Sequence, residues 1–221
     1  MKSVNPVSIL PGSAHAITKP ILVLVEGDDE YHLMQWMCLH WFGDKADHFV
    51  FENVGGKDNF PSRFRALKTR SLGALEVVGV VADSEEDAAA TQQRWRDLVN
   101  EVVATVKQPC KLLQLPHQDQ TGAFETLVLQ TLQHNAVAQC AVAFRDCVGS
   151  HLNDRTQAQK DKIAVQAWLG ASFGRAYGNV FKAQNEHADA ALLDYDHSAF
   201  SPIKAFLEEL LATVAANRLG A

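Results

Sequence analysis

The chain has 221 residues, of which 47% are hydrophobic and 21% are charged, and its formal net charge is -6. This composition excludes an intrinsically disordered chain, and the acidic balance excludes a protein whose whole surface is a basic coat for nucleic acid. Prolines interrupt the first twenty residues and no later run approaches the length of a membrane span, so we expect a cytoplasmic protein without membrane contact.

Strand and helix patterns alternate along the first half of the chain. The apolar run at 21–25 is typical of a strand covered on both faces, and residues 29–42 place apolar side chains at helical spacing. Further strands are predicted at 48–54, 75–82 and 112–115, and further helices at 64–72 and 91–106. Everything from Phe124 onward is predicted to be helix or loop.

This order of elements predicts an α/β fold, with a mainly parallel sheet flanked by helices and a helical C-terminal part. We expect an irregular segment over residues 1–20, an α/β core over 21–120, and a mainly helical part over 121–221 packed on that core. In such sheets ligands bind beyond the carboxyl ends of the strands, which is where a functional site is expected.

Apolar context also predicts which of the less common residues pack inside. Three of the four cysteines lie in apolar stretches typical of buried elements, and the absence of a CxxC pair indicates reduced thiols. The tryptophans are expected to pack in the core rather than to stack on bases, and the histidines lack the spacing of a zinc site.

Acidic residues follow the first and third predicted strands directly. Glu26 and Gly27 come after the first strand, and Asp83 and Glu85 come after the third. Because crowded carboxylates repel one another, such a group favours a bound cation, and its hard oxygen atoms favour Mg²⁺ or Mn²⁺. Four neighbouring acids are interpreted instead as helix N-terminal charges, namely Asp28, Asp29, Glu86 and Asp87.

The segments LVLVEGDDEYHLM and VVGVVADSEED resemble the Toprim domain of topoisomerases, bacterial-type primases and OLD-family nucleases. The resemblance implies that Glu26, Asp83 and Glu85 are metal ligands, with Glu85 in place of the second aspartate of a DxD motif. It also implies a ligand at Glu30, where OLD-type members carry an aspartate. The segments TGAFETLVLQTL and KDKIAVQAWLGA resemble an uncharacterised family of stand-alone Toprim-like proteins.

Three further positions have both a functional and a structural interpretation. Glu125 could be a further metal ligand or a charge at a helix N-terminus, and Lys162 could stabilise a phosphoryl group or be a solvated helix residue. The turn Gly55-Gly56-Lys57 could bind a phosphate or be a flexible turn with a surface lysine.

The resemblance implies a Mg²⁺-dependent phosphoryl-transfer enzyme, a nuclease that hydrolyses DNA or RNA, with Glu26 as ligand or general base and Lys162 as a catalytic group. The alternative is a non-catalytic metal- or nucleotide-binding module that assists a separate ATPase partner, since the chain has no ATP-binding motif of its own. One basic cluster could contact a nucleic-acid backbone, and the alternative interpretation is a solvated helix face; its members are Lys57, Arg63, Arg65, Lys68 and Arg70. The sequence leaves the oligomeric state open.

Overall fold

The structure is a computed structural model of the chain, and it describes residues 16–84, 86–117, 120–149, 151, 155–174 and 193–219. Four strands are described: β1 (Ile21–Val25), β2 (Phe49–Asn53), β3 (Val77–Asp83) and β4 (Cys110–Leu115). The α-helices in these ranges are α1 (Asp28–Phe42), α2 (Phe60–Leu67), α3 (Ala88–Val106), α4 (Phe124–Thr131), α5 (Ala136–Gly149), α6 (Gln157–Phe173) and α7 (Ser201–Leu219). Short 3-10 helices lie at Gly43–His48, Lys57–Asn59 and Ser198–Phe200.

The four strands form one sheet in the order β2-β1-β3-β4. β1 is parallel to both of its neighbours, and Ile21 lies opposite Phe49 on one side and Val77 on the other. β4 runs in the same direction, because Val78 N donates to the carbonyl of Pro109 and Ser84 N donates to the carbonyl of Leu115. The carboxyl ends of all four strands therefore lie at one edge, and the predicted α/β fold is confirmed.

Contacts divide the chain into two compact units, the first of which is built on β1, β2 and most of β3. Its core is aromatic as well as aliphatic, and the rings of Phe60 and Trp95 meet edge to face with centroids 4.6 Å apart. α7 approaches β3 closely at Gly79, where an added Cβ would lie 2.8 Å from Leu210 Cδ1 and 3.0 Å from Phe206 Cζ. A glycine in the middle of this strand is thus a packing requirement.

The second unit is helical, and in it α6 packs against both α4 and α5. Thr156 caps the start of α6 by accepting a hydrogen bond from Gln159 N, and Gly174 ends the helix in the left-handed conformation at φ 64°. Trp168 is buried in this unit, as the sequence predicts. No helix in the described part of the chain is long and apolar enough to cross a membrane.

Two predictions about the elements are wrong in part. α2 ends at Leu67 rather than near Leu72, because the backbone amides of residues 68–70 donate to carbonyls three residues earlier and the chain tightens into turns. Only Cys38 is buried, whereas Cys140 and Cys147 are exposed on α5. An apolar neighbourhood in sequence does not identify which face of a helix is covered.

Candidate metal centre

The end of β1 is held by backbone hydrogen bonds from the turn that follows β2. Gly55 N and Gly56 N both donate to the carbonyl of Glu26, at 3.1 and 2.8 Å. The two glycines have φ angles of 80° and 112°, which other residues rarely adopt. Glu26 itself is partly buried and follows the strand directly, as predicted.

These hydrogen bonds bear on the proposed phosphate contact at Gly55, Gly56 and Lys57. Both glycine amides already have an acceptor, so an anion could reach them only by breaking their bonds to Glu26. Lys57 is partly buried and begins a short 3-10 helix. Phosphate binding at this turn stays a prediction, and Lys57 is the group that could support it.

Glu30 lies in the first turn of α1 and is only 7% exposed. Its carboxylate folds back over the start of the helix, so that a Cβ added at Gly27 would lie 2.6 Å from Glu30 Oε2. The missing side chain at position 27 therefore makes room for the carboxylate. Tyr31 N donates to the carbonyl of Gly27 at 3.1 Å and starts the helix at this point.

Asp83 is the last residue of β3 and is partly buried. Its Oδ1 accepts a hydrogen bond from Phe124 N at 3.0 Å, at the start of α4. Ala123, which precedes that helix, has no polar side chain, so Asp83 supplies the capping interaction from elsewhere in the chain. Asp83 thus has a structural hydrogen bond in addition to its candidate role as a ligand.

Glu125 is a deeply buried carboxylate in the first turn of α4, with 3% of its surface exposed. Burial raises the pKa of its carboxyl group, the nearby Lys162 ammonium lowers it, and the negative charge of Asp161 raises it again. Lys162 Nζ lies 3.5 Å from Glu125 Oε1. The ammonium group of Lys162 therefore partly compensates the charge of this buried carboxylate, both as an ion-pair partner and as a hydrogen-bond donor.

Glu30, Asp83 and Glu125 form one acidic cluster, in which each residue offers a carboxylate oxygen within 4.8 Å of the other two. Oxygen ligands at about 2.1 to 2.5 Å from a divalent ion are separated by at most about 4 to 5 Å, so the spacing suits one ion. The donor set is entirely carboxylate, which favours a hard cation over zinc or copper. The residues therefore fit a divalent cation.

The acidic cluster contains three of the five predicted metal ligands. Glu26 is not one of the three residues grouped in the described part of the chain, and Glu85 lies outside the described residues. Their roles as ligands stay predictions. Asp87, interpreted from sequence as a helix cap, does accept a hydrogen bond from Ala90 N at 2.9 Å at the start of α3.

Asp161 is a buried acid that sequence reasoning missed. Its carboxylate accepts hydrogen bonds from Thr126 Oγ1 at 2.8 Å, Arg145 Nη1 at 2.8 Å and Gln157 Nε2 at 2.7 Å. Asp161 thereby ties α4 and α5 to α6, beside the residue Lys162. The available signal was its spacing to the apolar Ala164 and Val165, which places it on the inward face of α6.

The predicted basic surface is wrong for two of its five members. Glu52 is fully buried on β2, and it forms ion pairs with both Arg63 and Arg70. Arg70 Nη1 donates to the two carboxylate oxygens at 2.8 and 3.2 Å. A buried carboxylate needs such compensation, so these guanidinium groups face inward and are not a solvated surface for nucleic acid.

Comparison with known proteins yields one match. No curated protein and no solved structure matches the chain. A family model described as a protein of unknown function (DUF3226) matches residues 20–212, a range that includes Glu26, Glu30, Asp83, Glu125 and Lys162. This range is most of the chain, and the protein therefore belongs to the DUF3226 family.

Proposed function

We propose that the chain is a divalent-metal-dependent phosphoryl-transfer protein of the Toprim type, a nuclease whose cation is Mg²⁺ or Mn²⁺. The observation that carries the proposal is the cluster of Glu30, Asp83 and Glu125 within 4.8 Å. Two of these acids are buried, and burying carboxylates side by side is unfavourable unless a cation or a proton neutralises them. The resemblance of the segments around positions 26 and 83 to Toprim motifs supports the same conclusion.

The roles of the residues follow from their positions. A divalent cation held by the cluster would supply Lewis-acid stabilisation to the oxygen atoms of a phosphate group. Glu26, at the end of the neighbouring strand β1, would accept the proton of the attacking water. Lys162, whose side chain is 50% exposed beside Glu125, would face the negative charge that develops on the phosphate.

One observation favours the alternative, a non-catalytic metal- or nucleotide-binding module that assists an ATPase partner. The ion pairs of Arg63 and Arg70 with Glu52 remove two of the five basic side chains that would have contacted a nucleic-acid backbone. Phosphate contacts dominate the affinity for nucleic acid, so a chain with a net charge of -6 could depend on a partner for that contact.

Metal binding is tested by titrating the purified chain with Mn²⁺ and following free Mn²⁺ by electron paramagnetic resonance. Glu125→Gln should weaken binding by about tenfold or more, since it removes one charged ligand of a three-ligand site. Glu86→Gln is the matched control, because Glu86 is an exposed acid just beyond β3 and is not one of the three clustered residues. Equal binding by both variants would refute the metal site.

Catalysis is tested with plasmid, single-stranded DNA and structured RNA in the presence of Mn²⁺. The wild type should cleave at least one of these substrates, and Glu26→Gln and Glu125→Gln should not, while Glu86→Gln remains active. If the chain binds Mn²⁺ through Glu125 but cleaves nothing, the non-catalytic module replaces the nuclease.

A further inference from the structure

The carboxylate of Glu125 is held close to the backbone of the first turn of α4. Its own backbone amide donates a hydrogen bond to it, and Lys162 contributes a further hydrogen bond and an ion pair. A side chain that is hydrogen-bonded to its own amide moves with the backbone that carries it. The position of Glu125 in the acidic cluster therefore depends on how the start of α4 is fixed.

Hydrogen bonds from side chains fix the start of α4. Phe124 N donates to Asp83 Oδ1 at 3.0 Å, and Ala123 N donates to Thr126 Oγ1 at 3.2 Å. These are amides of the kind that a helix leaves without acceptors in its own backbone. The hydroxyl group of Thr126 in turn donates to Asp161 Oδ2 at 2.8 Å. Thr126 thus connects the turn that carries Glu125 to a carboxylate on α6.

Asp161 is well suited to hold this hydroxyl group in place. Its carboxylate is buried, and its other oxygen, Oδ1, accepts from Arg145 Nη1 at 2.8 Å and from Gln157 Nε2 at 2.7 Å. A buried carboxylate that is bound by donors from two helices has little freedom to move. The hydroxyl group of Thr126 is therefore bound to a fixed point within the second unit.

The glycine at position 122 leaves room for the same hydroxyl group. A Cβ added at Gly122 would lie 2.7 Å from Thr126 Oγ1 and 3.2 Å from Pro116 Cδ. The φ angle of Gly122 is 136°, which also disfavours any side chain at this position. The turn before α4 therefore accommodates Thr126 in its observed position.

We propose that Thr126 is a positioning residue of the metal centre: its hydroxyl group, bound to Asp161, fixes the first turn of α4 and thereby holds the Glu125 carboxylate within the acidic cluster. Thr126 acts through Glu125, its neighbour in the chain. The proposal rests on the proposed function, because it assumes that the three clustered acids hold the ion, and it assigns to that site a residue outside the cluster.

The first experiment is a Mn²⁺ titration of the full chain carrying Thr126→Val, followed by electron paramagnetic resonance. Valine keeps the branched shape of threonine but has no hydroxyl group, and the substitution changes no charge. Mn²⁺ binding should weaken by about fivefold to tenfold, as is typical when a residue that orients a metal ligand is lost. Thr126→Ser restores the hydroxyl group and should bind Mn²⁺ within about twofold of the wild type.

The matched control is Thr131→Val. Thr131 is also partly buried on α4, but its hydroxyl group donates to the carbonyl of Val128 at 2.8 Å, away from the first turn. Thr131→Val should change the affinity for Mn²⁺ by less than about twofold. Urea unfolding of the metal-free chains checks that both valine variants fold; if Thr126→Val does not, Thr126→Ala and Thr131→Ala replace the pair.

The second experiment is a double-mutant cycle, in which Thr126→Val is combined with Glu125→Gln. If Thr126 acts by placing the Glu125 carboxylate, its loss should weaken the residual Mn²⁺ binding of Glu125→Gln by less than about twofold, because the carboxylate is already gone. A residue that supported only the fold would instead weaken Mn²⁺ binding by the same factor in both backgrounds.

The outcomes separate this proposal from the proposed function. If Glu125→Gln weakens Mn²⁺ binding but Thr126→Val binds Mn²⁺ as tightly as Thr131→Val, the positioning role is refuted and the metal site stands. An equal effect of Thr126→Val in both backgrounds, or a loss in Thr126→Ser as large as in Thr126→Val, also refutes the positioning role. If the wild type binds no Mn²⁺, both proposals fall.

Discussion

The position of the Glu30 carboxylate depends on the absence of a side chain at Gly27. A Cβ at position 27 would lie 2.6 Å from Glu30 Oε2, whereas ordinary van der Waals contact begins at 3.4 Å. Gly27→Ala must therefore move this oxygen by about 0.4 to 0.8 Å. Metal–ligand distances tolerate deviations of only about 0.2 Å, so a displacement of this size takes Glu30 out of coordination.

Gly27→Ala should consequently weaken Mn²⁺ binding by about tenfold or more while leaving the fold stable, since it acts on one ligand of three. The backbone at Gly27 has φ -130° and ψ 175°, an extended conformation that alanine adopts readily. The atom that must move is the end of a flexible side chain, so we expect the free energy of unfolding to change by only about 0.5 kcal/mol.

The measurement pairs a Mn²⁺ titration with urea unfolding of the metal-free chain. Gly73→Ala is the matched control, because no heavy atom lies within 4 Å of the Cβ that this substitution adds. If Gly27→Ala binds Mn²⁺ as tightly as Gly73→Ala, Glu30 is not a ligand in the position described above. A large loss of stability would instead mean that Glu30 is needed for folding.

Three further outcomes follow from the same structure. Glu52→Gln should lower the free energy of unfolding by about 3 to 5 kcal/mol, because the buried guanidinium groups lose their counter-charge. In urea unfolding, the control Arg65→Ala should lower it by less than about 0.5 kcal/mol, since Arg65 is exposed. Asp83→Asn should weaken Mn²⁺ binding but keep the Tm, since its amide oxygen still accepts the hydrogen bond from Phe124 N. Asp83→Ala should weaken Mn²⁺ binding and also lower the free energy of unfolding by about 1 kcal/mol, because that hydrogen bond is lost. Burial raises the pKa of Glu125, so the folded chain binds the proton of this carboxyl group more tightly than the unfolded chain does. The free energy of unfolding of the metal-free chain should therefore fall as the pH rises from the ordinary glutamate range through the raised pKa. Glu125→Gln should remove this part of the pH dependence of the Tm.

The sheet was predictable because its strands have a strong local signal. The apolar run at 21–25 matches β1, and the strand predicted at 48–54 contains β2 at Phe49–Asn53. Buried parallel strands are apolar on both faces, which makes them stand out from the helices around them. The end of α2 was not predictable in this way, because apolar spacing continues to Leu72 while the backbone changes to i→i−3 hydrogen bonds after Leu67.

Residue patterns alone indicated the candidate site where it follows a strand, and the Toprim resemblance added Glu30. Asp83 was singled out by its place at the end of β3, and the structure puts it in the acidic cluster. Glu125 left two interpretations open, because an acid in the first turn of a helix is common without any ligand role. The inward direction of Arg63 and Arg70 depends on the buried Glu52, whose need for a counter-charge becomes visible only in three dimensions.

The backbone hydrogen bonds at the end of β1 also determine how mutations there should be interpreted. Gly55 and Gly56 donate to the carbonyl of Glu26, a group that every amino acid has, so this turn does not depend on the side chain at position 26. In a library of variants selected for activity, intolerance at position 26 would report the requirements of its side chain, separately from the conformation of the turn. Intolerance at positions 55 and 56 would report backbone conformation, since their positive φ angles disfavour any side chain. Neighbouring positions at one edge of the sheet would thus separate selection on a side chain from selection on the backbone.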